Sequence, residues 1–332
     1  MASPIFVTMD PGSDTVASVD QIRLAYRMLF GREADASGLE HFTRMAQTHA
    51  LDIAKVAAQL IRSDEFALRH GLELPPVEID LGGYSMFARS SDRDIGAAIA
   101  AGYAYEPHVT ALVRRELKPG GTFLDVGANI GYFSMLGAHL VGPSGKVLAV
   151  EPLDKNLQLI YAGIERNGFL QVEVMPFGAS DAARLVPMVT DPGTSNALVQ
   201  TAPSSKRIAA YAPMRPLDWL TTDLQRIDLM KIDIEGHELF AWRGAQRMLA
   251  RHRPKIITEF HPGAMRENAG VEARDYLSAL FTYAHTVKVL FGTNETVPCV
   301  STDEVFAQWR RSDERYGGRG TSHLDLFVVP DD

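Results

Sequence analysis

The second half of the sequence alternates short apolar segments with amphipathic helical segments. Seven segments have the pattern of strands: TFLDVG, KVLAVEP, VEVMPFG, DLMKIDIE, KIITEF, TVKVLF and HLDLFVVP. Helical patterns lie between them, over residues 130–140, 155–167, 238–251 and 273–284. Parallel strands are joined by crossover helices and are buried on both faces, so this alternation predicts an α/β fold with helices on both sides of a mostly parallel sheet. Residues 182–212 interrupt the alternation with turn-forming residues and are predicted to be a long, mobile insertion.

The first 75 residues have a different pattern. Apolar residues recur at helical spacing over residues 19–29, 39–45 and 53–61, and Pro75 and Pro76 then exclude a helix. A chain of 332 residues suggests about two domains at roughly 150 residues each. We therefore predict a small all-α domain at residues 1–75 and a larger α/β domain at residues 76–332.

Composition restricts the classes of partner. The net charge of −8 argues against broad nucleic-acid binding, because phosphate contacts require an excess of lysine and arginine. A single cysteine, Cys299, rules out an intramolecular disulfide and fits a reducing compartment. The N-terminus lacks the pattern of a signal peptide, and no apolar run reaches the roughly 18 residues of a membrane span. We expect a cytoplasmic protein without a membrane span.

A glycine turn follows the first predicted strand of the α/β domain, in FLDVGANIGYFS. The strand ends at Asp125, Gly127 allows a tight turn, and the next strand ends at Glu151. An acidic residue at that second position can bind both hydroxyls of a ribose. The spacing from Gly127 to Gly131, with Asn129 between them, lacks the third glycine of a dinucleotide fingerprint. These residues favour a nucleoside ligand without a pyrophosphate, such as S-adenosylmethionine.

The segment KIDIEGHE places charge at the end of an apolar strand. If the strand continues, a period of two puts Asp233, Glu235 and His237 on one side, whereas Gly236 is expected to end it. Glu238 would then lie in the first turn of the next helix, where negative charge is favourable. His237 has a pKa suited to a general base, and Asp233 is an equal candidate by position.

A metal site is the alternative interpretation of the same residues. Asp233, Glu235 and His237, together with Glu259 and His261 from TEFHP, offer mixed oxygen and nitrogen ligands. A bound divalent cation would orient a hydroxyl group and lower its pKa. Nothing in the sequence fixes a ligand geometry, so we favour a site without metal, in which Glu259 and His261 contact the substrate.

These motifs together resemble the FkbM family of S-adenosylmethionine-dependent methyltransferases, over roughly residues 94–262. The resemblance implies a Rossmann-like sheet of seven strands and methyl transfer, usually to oxygen, with polyketide and sugar hydroxyls among the substrates of the family. It also implies that Asp125, Gly127 and Asn129 hold the methionine part of the donor and that Glu151 binds the ribose. Phe177 and Gly178, after the third strand, would line the adenine.

The N-terminal segment AYRMLFGREADASGLEHF, with LIRSDEF, resembles a helical domain of unknown function that recurs in bacterial multidomain proteins, some linked to glycans. We interpret it as a docking or dimerisation module. The main prediction is a methyltransferase acting on a hydroxyl of a sugar, glycan or secondary metabolite. One alternative is a non-catalytic interaction protein that uses the helical domain beside a Rossmann-like scaffold. Another is an NAD-dependent nucleotide-sugar enzyme, against which the missing third glycine counts.

Overall fold

The structure is a computed structural model that describes residues 16–69, 75–89, 92, 95–102, 104–189, 196, 198–199, 208–221, 224–292 and 295–331. The chain divides into two compact units, residues 1–75 and 76–332. Each unit has its own hydrophobic core among the described residues.

The first unit is helical. Its helices are α1 (Val19–Phe30), α2 (Ala36–His49), α3 (Ile53–Ile61) and α4 (Asp64–Arg69). Ser18 caps α1 through a reciprocal pair of hydrogen bonds with Gln21, and Gly31 ends the helix in the left-handed conformation, as its position in the sequence predicts. Tyr26 and Phe30 are buried in the core of this unit. The unit therefore contains the amphipathic helices that the sequence predicts.

One ion pair links distant parts of this helical unit. The Arg32 guanidinium donates two hydrogen bonds to the Glu65 carboxylate, at 2.8 and 2.7 Å. Asp35 accepts a hydrogen bond from the Gly38 amide at 2.7 Å and so caps α2. Arg32 and Asp35 therefore stabilise the structure of the unit.

The second unit contains the α/β fold. Its strands are β1 (Val77–Asp80), β2 (Ser85–Ala88), β3 (Thr122–Val126), β4 (Lys146–Val150), β5 (Val172–Met175), β6 (Gly178–Ala179), β7 (Arg184–Val189), β8 (Leu198–Val199), β9 (Ile208–Arg215), β10 (Leu229–Ile232), β11 (Lys255–Phe260), β12 (Val287–Phe291), β13 (Glu295–Cys299) and β14 (Leu324–Val328). Its helices are α5 (Gly96–Ala100), α6 (Pro107–Glu116), α7 (Tyr132–Val141), α8 (Asp154–Asn167), α9 (Glu238–Arg243), α10 (Gln246–His252), α11 (Pro262–Ala264), α12 (Ala273–Tyr283) and α13 (Thr302–Arg315), with a 3₁₀ helix at Leu217–Thr221 and a π-helical turn at Met265–Ala269. None of the helices in the described residues is long and apolar enough to cross a membrane.

The main sheet confirms the predicted fold class. Its strand order is β13-β12-β14-β11-β10-β3-β4-β5. The strands from β5 to β11 are parallel, and β14 runs antiparallel to both β11 and β12. All seven strands predicted from the sequence are present. Within the described residues an eighth strand, β13, extends the sheet as a hairpin with β12.

Two local features differ from the predictions. The helix predicted over residues 238–251 is broken into α9 and α10 at Gly244, where a Cβ would lie 1.9 Å from the Ser180 carbonyl oxygen. The predicted loop insertion contains β7, β8 and β9, which form a small sheet with β6. Parts of that insertion lie outside the described residues.

Candidate active site

A cavity of about 350 Å³ opens at the carboxyl ends of the parallel strands, within the size range of small-ligand pockets. This edge of the sheet is where ligands bind in open α/β folds, because the loops after adjacent strands diverge there. Nine of the eleven predicted site residues line the cavity: Gly127, Asn129, Glu151, Gly178, Asp233, Glu235, His237, Glu259 and His261. The structure therefore brings the residues of five separate strand ends into one site.

Asp125 and Phe177 do not line the cavity. Asp125 is 1% exposed and accepts a hydrogen bond from the Ser134 hydroxyl at 2.6 Å, so it lies beneath the site. Burial raises the pKa of the Asp125 carboxyl to about 6, and Lys231 opposes this shift. Phe177 is buried in the hydrophobic core on one face of the sheet. Both residues are buried next to the site but lie outside its lining.

Glu151 is the most extensively hydrogen-bonded carboxylate of the site. It accepts hydrogen bonds from the amides of Asn129 and Leu153, at 3.0 and 2.9 Å, and from the Asn156 side chain at 3.3 Å. Burial raises its pKa to about 7, while these hydrogen bonds lower it. A carboxylate has about four acceptor positions, so three hydrogen bonds from described residues leave room for a ligand hydroxyl.

The part of the cavity next to Glu151 is apolar. Gly178 begins the short strand β6, which pairs with β9 at Met214. A Cβ at Gly178 would lie 2.4 Å from the Met214 sulfur, so a larger residue here would require the Met214 side chain to move. The apolar lining here consists of Val150, Pro152, Ala179, Met188, Val199 and Met214. Such a surface suits the face of a flat heteroaromatic ring.

The loop after β10 is held by its own glutamate. Strand β10 ends at Ile232, so the alternation of side chains does not continue to residue 237. Glu238 Oε1 accepts hydrogen bonds from the amides of Ile234 and Gly236, at 3.0 and 3.1 Å. The Asn268 side chain donates to the Glu235 carbonyl at 2.8 Å. Glu238 is therefore structural, as expected, and the loop it caps presents Asp233 and Glu235 to the cavity.

His237 is 3% exposed and lies against the aromatic ring of Phe240, with 4.6 Å between ring centroids. Its Nε2 is 3.1 Å from the Ser180 hydroxyl, which accepts a hydrogen bond from Arg184 at 2.8 Å. Its Nδ1 is buried and has no hydrogen-bond partner among the described residues. Burial and the nearby Arg184 lower the pKa of His237 to about 4, so the ring is neutral near pH 7 but is a weaker base than the sequence predicts.

The opposite wall of the cavity is acidic. Glu259 at the end of β11 lies beside Asp325 of the antiparallel strand β14. Asp325 Oδ2 is 2.5 Å from Nε2 of His108, whereas Glu259 Oε2 is buried without a hydrogen-bond partner among the described residues. Burial raises the pKa of Glu259 well above its usual range, and the neighbouring carboxylates raise it further. His261 Nδ1 accepts a hydrogen bond from the Ala264 amide at 3.1 Å, which fixes the turn after β11.

Lys231 is the residue of this site that the sequence reasoning missed. It lines the cavity, is 4% exposed, and its ammonium donates to Asp233 Oδ2 at 2.7 Å. Glu106 Oε2 is 3.9 Å away. The signal was the period of two within the strand, which places Lys231 on the same side as Asp233. Asn196 and Asp325 were not predicted because their approach depends on contacts between distant parts of the chain.

Backbone strain is concentrated at the cavity. Five non-glycine residues have a positive φ in the described part of the chain, and three of them line the cavity: Glu106 at 40°, Asn129 at 51° and Glu235 at 56°. Such conformations persist only where the surrounding structure imposes them, and they are common at functional sites.

A metal cage is not evident at this cavity. The described residues contain no group of three or more histidine, cysteine, aspartate or glutamate side chains placed to hold a metal ion.

Residues 125–285 match the family model described as Methyltransferase FkbM domain. Over 202 residues the chain is 30% identical to the AMB antimetabolite synthetase AmbE of Pseudomonas aeruginosa, a match that covers 49% of this chain and 9% of that protein. The chain thus spans less than a tenth of the length of this curated relative.

Solved methyltransferases are also similar to the chain. One is an FkbM methyltransferase from Methylobacillus flagellatus, with 18% identity, a TM-score of 0.40 and coverage of 92% of this chain and 58% of that one. Another is an S-adenosylmethionine-dependent O-methyltransferase from Thermotoga maritima, with 12% identity, a TM-score of 0.39 and coverage of 81% and 82%.

Proposed function

We propose that the protein is an S-adenosylmethionine-dependent methyltransferase that acts on a hydroxyl group, a proposal supported by the match of residues 125–285 to the methyltransferase FkbM family model. The observation that carries this proposal is the joining of Gly127, Glu151 and Asp233 in one cavity at adjacent strand ends. Glu151 can accept hydrogen bonds from a ribose diol, the apolar lining beside Gly178 can hold a ring, and the Asp233 carboxylate can bind a cation. All three lie in the same cavity.

The charges of the cavity fit this donor. S-adenosylmethionine has a sulfonium and an ammonium group, and it supplies a methyl group on the sulfonium centre when bound. Among the described lining residues, six carboxyl groups accompany one ammonium, that of Lys231: Glu106, Glu151, Asp233, Glu235, Glu259 and Asp325. Opposite charges at short range favour binding of a cationic ligand, most strongly where water is excluded.

We assign the parts of the donor to separate regions of the lining. Glu151 would accept hydrogen bonds from the ribose hydroxyls, and the apolar slot beside Gly178 would hold the adenine. The turn at Gly127 and Asn129, together with Asp233, would hold the amino-acid end. Asp125 and Phe177 would shape this region from beneath, since neither lines the cavity.

For the transfer itself, the acceptor hydroxyl must lie in line with the sulfonium carbon. A neutral imidazole can take the hydroxyl proton, so His237 is our first candidate for the base, with Asp233 as the second. Glu235, Glu259 and His261 would contact the acceptor. His237 is held in place by Ser180 and Phe240, which favours a fixed direction of proton transfer.

The acceptor class is part of this proposal. Sugar or glycan hydroxyls and hydroxyls of secondary metabolites both agree with an O-methyltransferase of this family. The partial match to an antimetabolite synthetase favours the secondary metabolite. We further propose that the helical unit at residues 1–75 serves docking or dimerisation and that the protein works in the cytoplasm.

Isothermal titration with S-adenosylmethionine and S-adenosylhomocysteine tests the donor site directly. We expect the wild type to bind both ligands and Glu151→Ala to bind them at least tenfold more weakly, because a buried carboxylate that binds a diol is removed. Glu165→Ala, at an exposed position on α8, is the matched control and should bind like the wild type.

Transfer is measured next, with a tritiated methyl donor and hydroxyl compounds of both acceptor classes. Appearance of an O-methyl product identifies the reaction, and repeating the assay with EDTA tests the alternative that a cation orients the acceptor. A folded wild type that binds neither donor ligand would overturn the proposal and favour a non-catalytic interaction protein.

A further inference from the structure

Lys231 carries a charge that the proposed function does not by itself require. Its side chain is 5% exposed, and burial of an ammonium is costly unless carboxylates or aromatic faces compensate it. A lysine beside the binding site of a cationic ligand also repels that ligand. Its presence therefore needs a structural reason within the site.

Four residues from different parts of the chain surround the Lys231 ammonium and compensate its charge. Its ammonium donates to Asp233 Oδ2 at 2.7 Å and lies 3.9 Å from Glu106 Oε2. It also lies 4.6 Å from the centre of the Phe133 ring. Asp125 occupies the matching position on the neighbouring strand β3. These carboxylates raise the pKa of Lys231 against the effect of burial, so the ammonium stays charged.

The backbone of Asp233 is fixed independently of this ammonium. Its amide donates to the Val126 carbonyl at 3.0 Å, and its own carbonyl lies against Gly127. The side chain, by contrast, is 23% exposed and leaves strand β10 at its end. The hydrogen bond from Lys231 therefore selects the direction of the Asp233 carboxylate.

We propose that Lys231 is a positioning residue, which holds the Asp233 carboxylate in the orientation that binds the cationic end of the donor. The inference rests on the proposed function, since it assigns Asp233 to the donor. Lys231 acts through Asp233 and makes no contact with the reacting atoms. Glu106 and Phe133 keep the ammonium in place, and Oδ1 of Asp233 is the oxygen offered to the ligand.

A double-mutant cycle on donor binding tests this assignment. Lys231→Met, Asp233→Asn and the double variant are titrated with S-adenosylmethionine and S-adenosylhomocysteine, and the melting temperature is recorded for each. We expect each single variant to weaken both ligands roughly tenfold, the effect of losing one hydrogen bond to a charged group. The double variant should then be no more than about threefold weaker than the poorer single variant, because the two residues act as one unit.

Two control variants show whether the loss of donor affinity is specific to the removal of the charged hydrogen-bond donor at position 231. Lys231→Arg keeps a charged donor and should bind within about threefold of the wild type. Lys255 lies on the neighbouring strand β11, donates to the Glu116 carboxylate at 2.7 Å and does not line the cavity. Lys255→Met should therefore leave donor affinity unchanged. If Lys231→Met fails to fold, Lys231→Gln completes the cycle with a polar side chain of similar size.

The opposite results are specific. If Lys231 acts only as a positive charge, its removal tightens both ligands, because both carry the ammonium group that Asp233 is proposed to bind, and it tightens S-adenosylmethionine more because of the sulfonium charge. Losses that multiply to about a hundredfold in the double variant, or unchanged affinity in Lys231→Met, would also overturn the assignment. A wild type that binds neither ligand defeats the proposed function itself, whereas a binding wild type with a failed cycle defeats only the role of Lys231.

Discussion

Gly127 lies against the carbonyl group of Asp233: a Cβ built at Gly127 would be 1.9 Å from the Asp233 carbonyl oxygen. The Asp233 amide donates to the carbonyl of Val126, the residue before this glycine, at 3.0 Å. The glycine turn after β3 and the acidic loop after β10 are therefore in direct backbone contact. A substitution that moves the backbone of one loop should therefore also move the cavity-lining residues of the other loop.

The first prediction concerns Gly127→Ala. The glycine has φ of +86°, and the added methyl group would meet backbone atoms that cannot move as a side chain can. We expect a loss of about 2–4 kcal/mol in stability from the positive φ and the forced shift. Donor affinity should fall at least tenfold, because Asp233 moves. Thermal denaturation and calorimetric titration measure the two effects.

Gly168→Ala is the matched control for this variant. Gly168 also has a positive φ, +65°, in the left-handed helical conformation, but no atom beyond its chain neighbours lies within 4 Å of the added Cβ. It should lose only about 1 kcal/mol, from conformation alone, and bind the donor normally. Equal loss of donor affinity in both variants would contradict the contact between Gly127 and Asp233 as the cause.

The strands of the main sheet were predictable because each is a local apolar run of strand length between helical segments. The break at Gly244 was not predicted from the local pattern, and the close approach of the Ser180 carbonyl to this glycine is a contact between residues distant in sequence. The small sheet was missed for a related reason. Its strands β7 and β9 lie in a segment rich in turn formers, and their pairing is a non-local contact.

The site was predictable where it follows strand ends. Gly127, Glu151, Asp233 and Glu259 each end or follow a predicted strand, and the topology brings such positions to one edge. The position of a residue at a strand end does not predict the direction in which its side chain points. Asp125 precedes the turn by only two residues, yet it points to Ser134 beneath the cavity.

The second prediction is a pH effect at Glu151. Burial raises its pKa to about 7, above the value of an unfolded glutamate, so the folded state binds the extra proton between about pH 4.5 and 7. Its contribution to stability is therefore present at low pH and is lost as pH rises through this window. Glu151→Gln removes the titration. We expect the melting temperature of the variant, relative to the donor-free wild type, to increase by a few degrees from pH 5 to pH 8.

Glu173→Gln is a suitable control, because Glu173 lies on the edge strand β5 and its side chain is 51% exposed. The difference between this variant and the wild type should not change over the same range. A constant difference for Glu151→Gln as well would mean that Glu151 titrates near its ordinary value.

The third prediction concerns proton transfer by His237. Removal of a positioned base typically lowers turnover by 10²–10⁴-fold. We expect His237→Asn to lower methyl transfer by at least about a hundredfold and to change the donor dissociation constant by less than about threefold. Single-turnover transfer of a tritiated methyl group, with parallel titration of the donor, separates the two quantities. Normal turnover in the variant would move the role of base to Asp233.

Ser180→Ala tests the orientation of the same ring. The variant keeps the imidazole but removes its hydrogen bond at Nε2, where Ser180 and His237 are 3.1 Å apart. Turnover should fall by less than in His237→Asn. Because the pKa of His237 is lowered to about 4, wild-type turnover should not show a titration of this residue between pH 6 and 8.

The fourth prediction concerns the two units of the chain. Every described residue that lines the cavity belongs to the unit at residues 76–332, whereas the core of the helical unit lies within residues 17–60. The described residues that line the proposed donor site thus all belong to this unit. We expect a fragment of residues 76–332 to bind S-adenosylhomocysteine within about twofold of the full chain, by calorimetric titration.

If the fragment is folded by circular dichroism but binds more than tenfold less tightly, the helical unit contributes to the donor site. Unchanged donor binding together with a change in oligomeric state, measured by light scattering, would assign this unit to association of the chain.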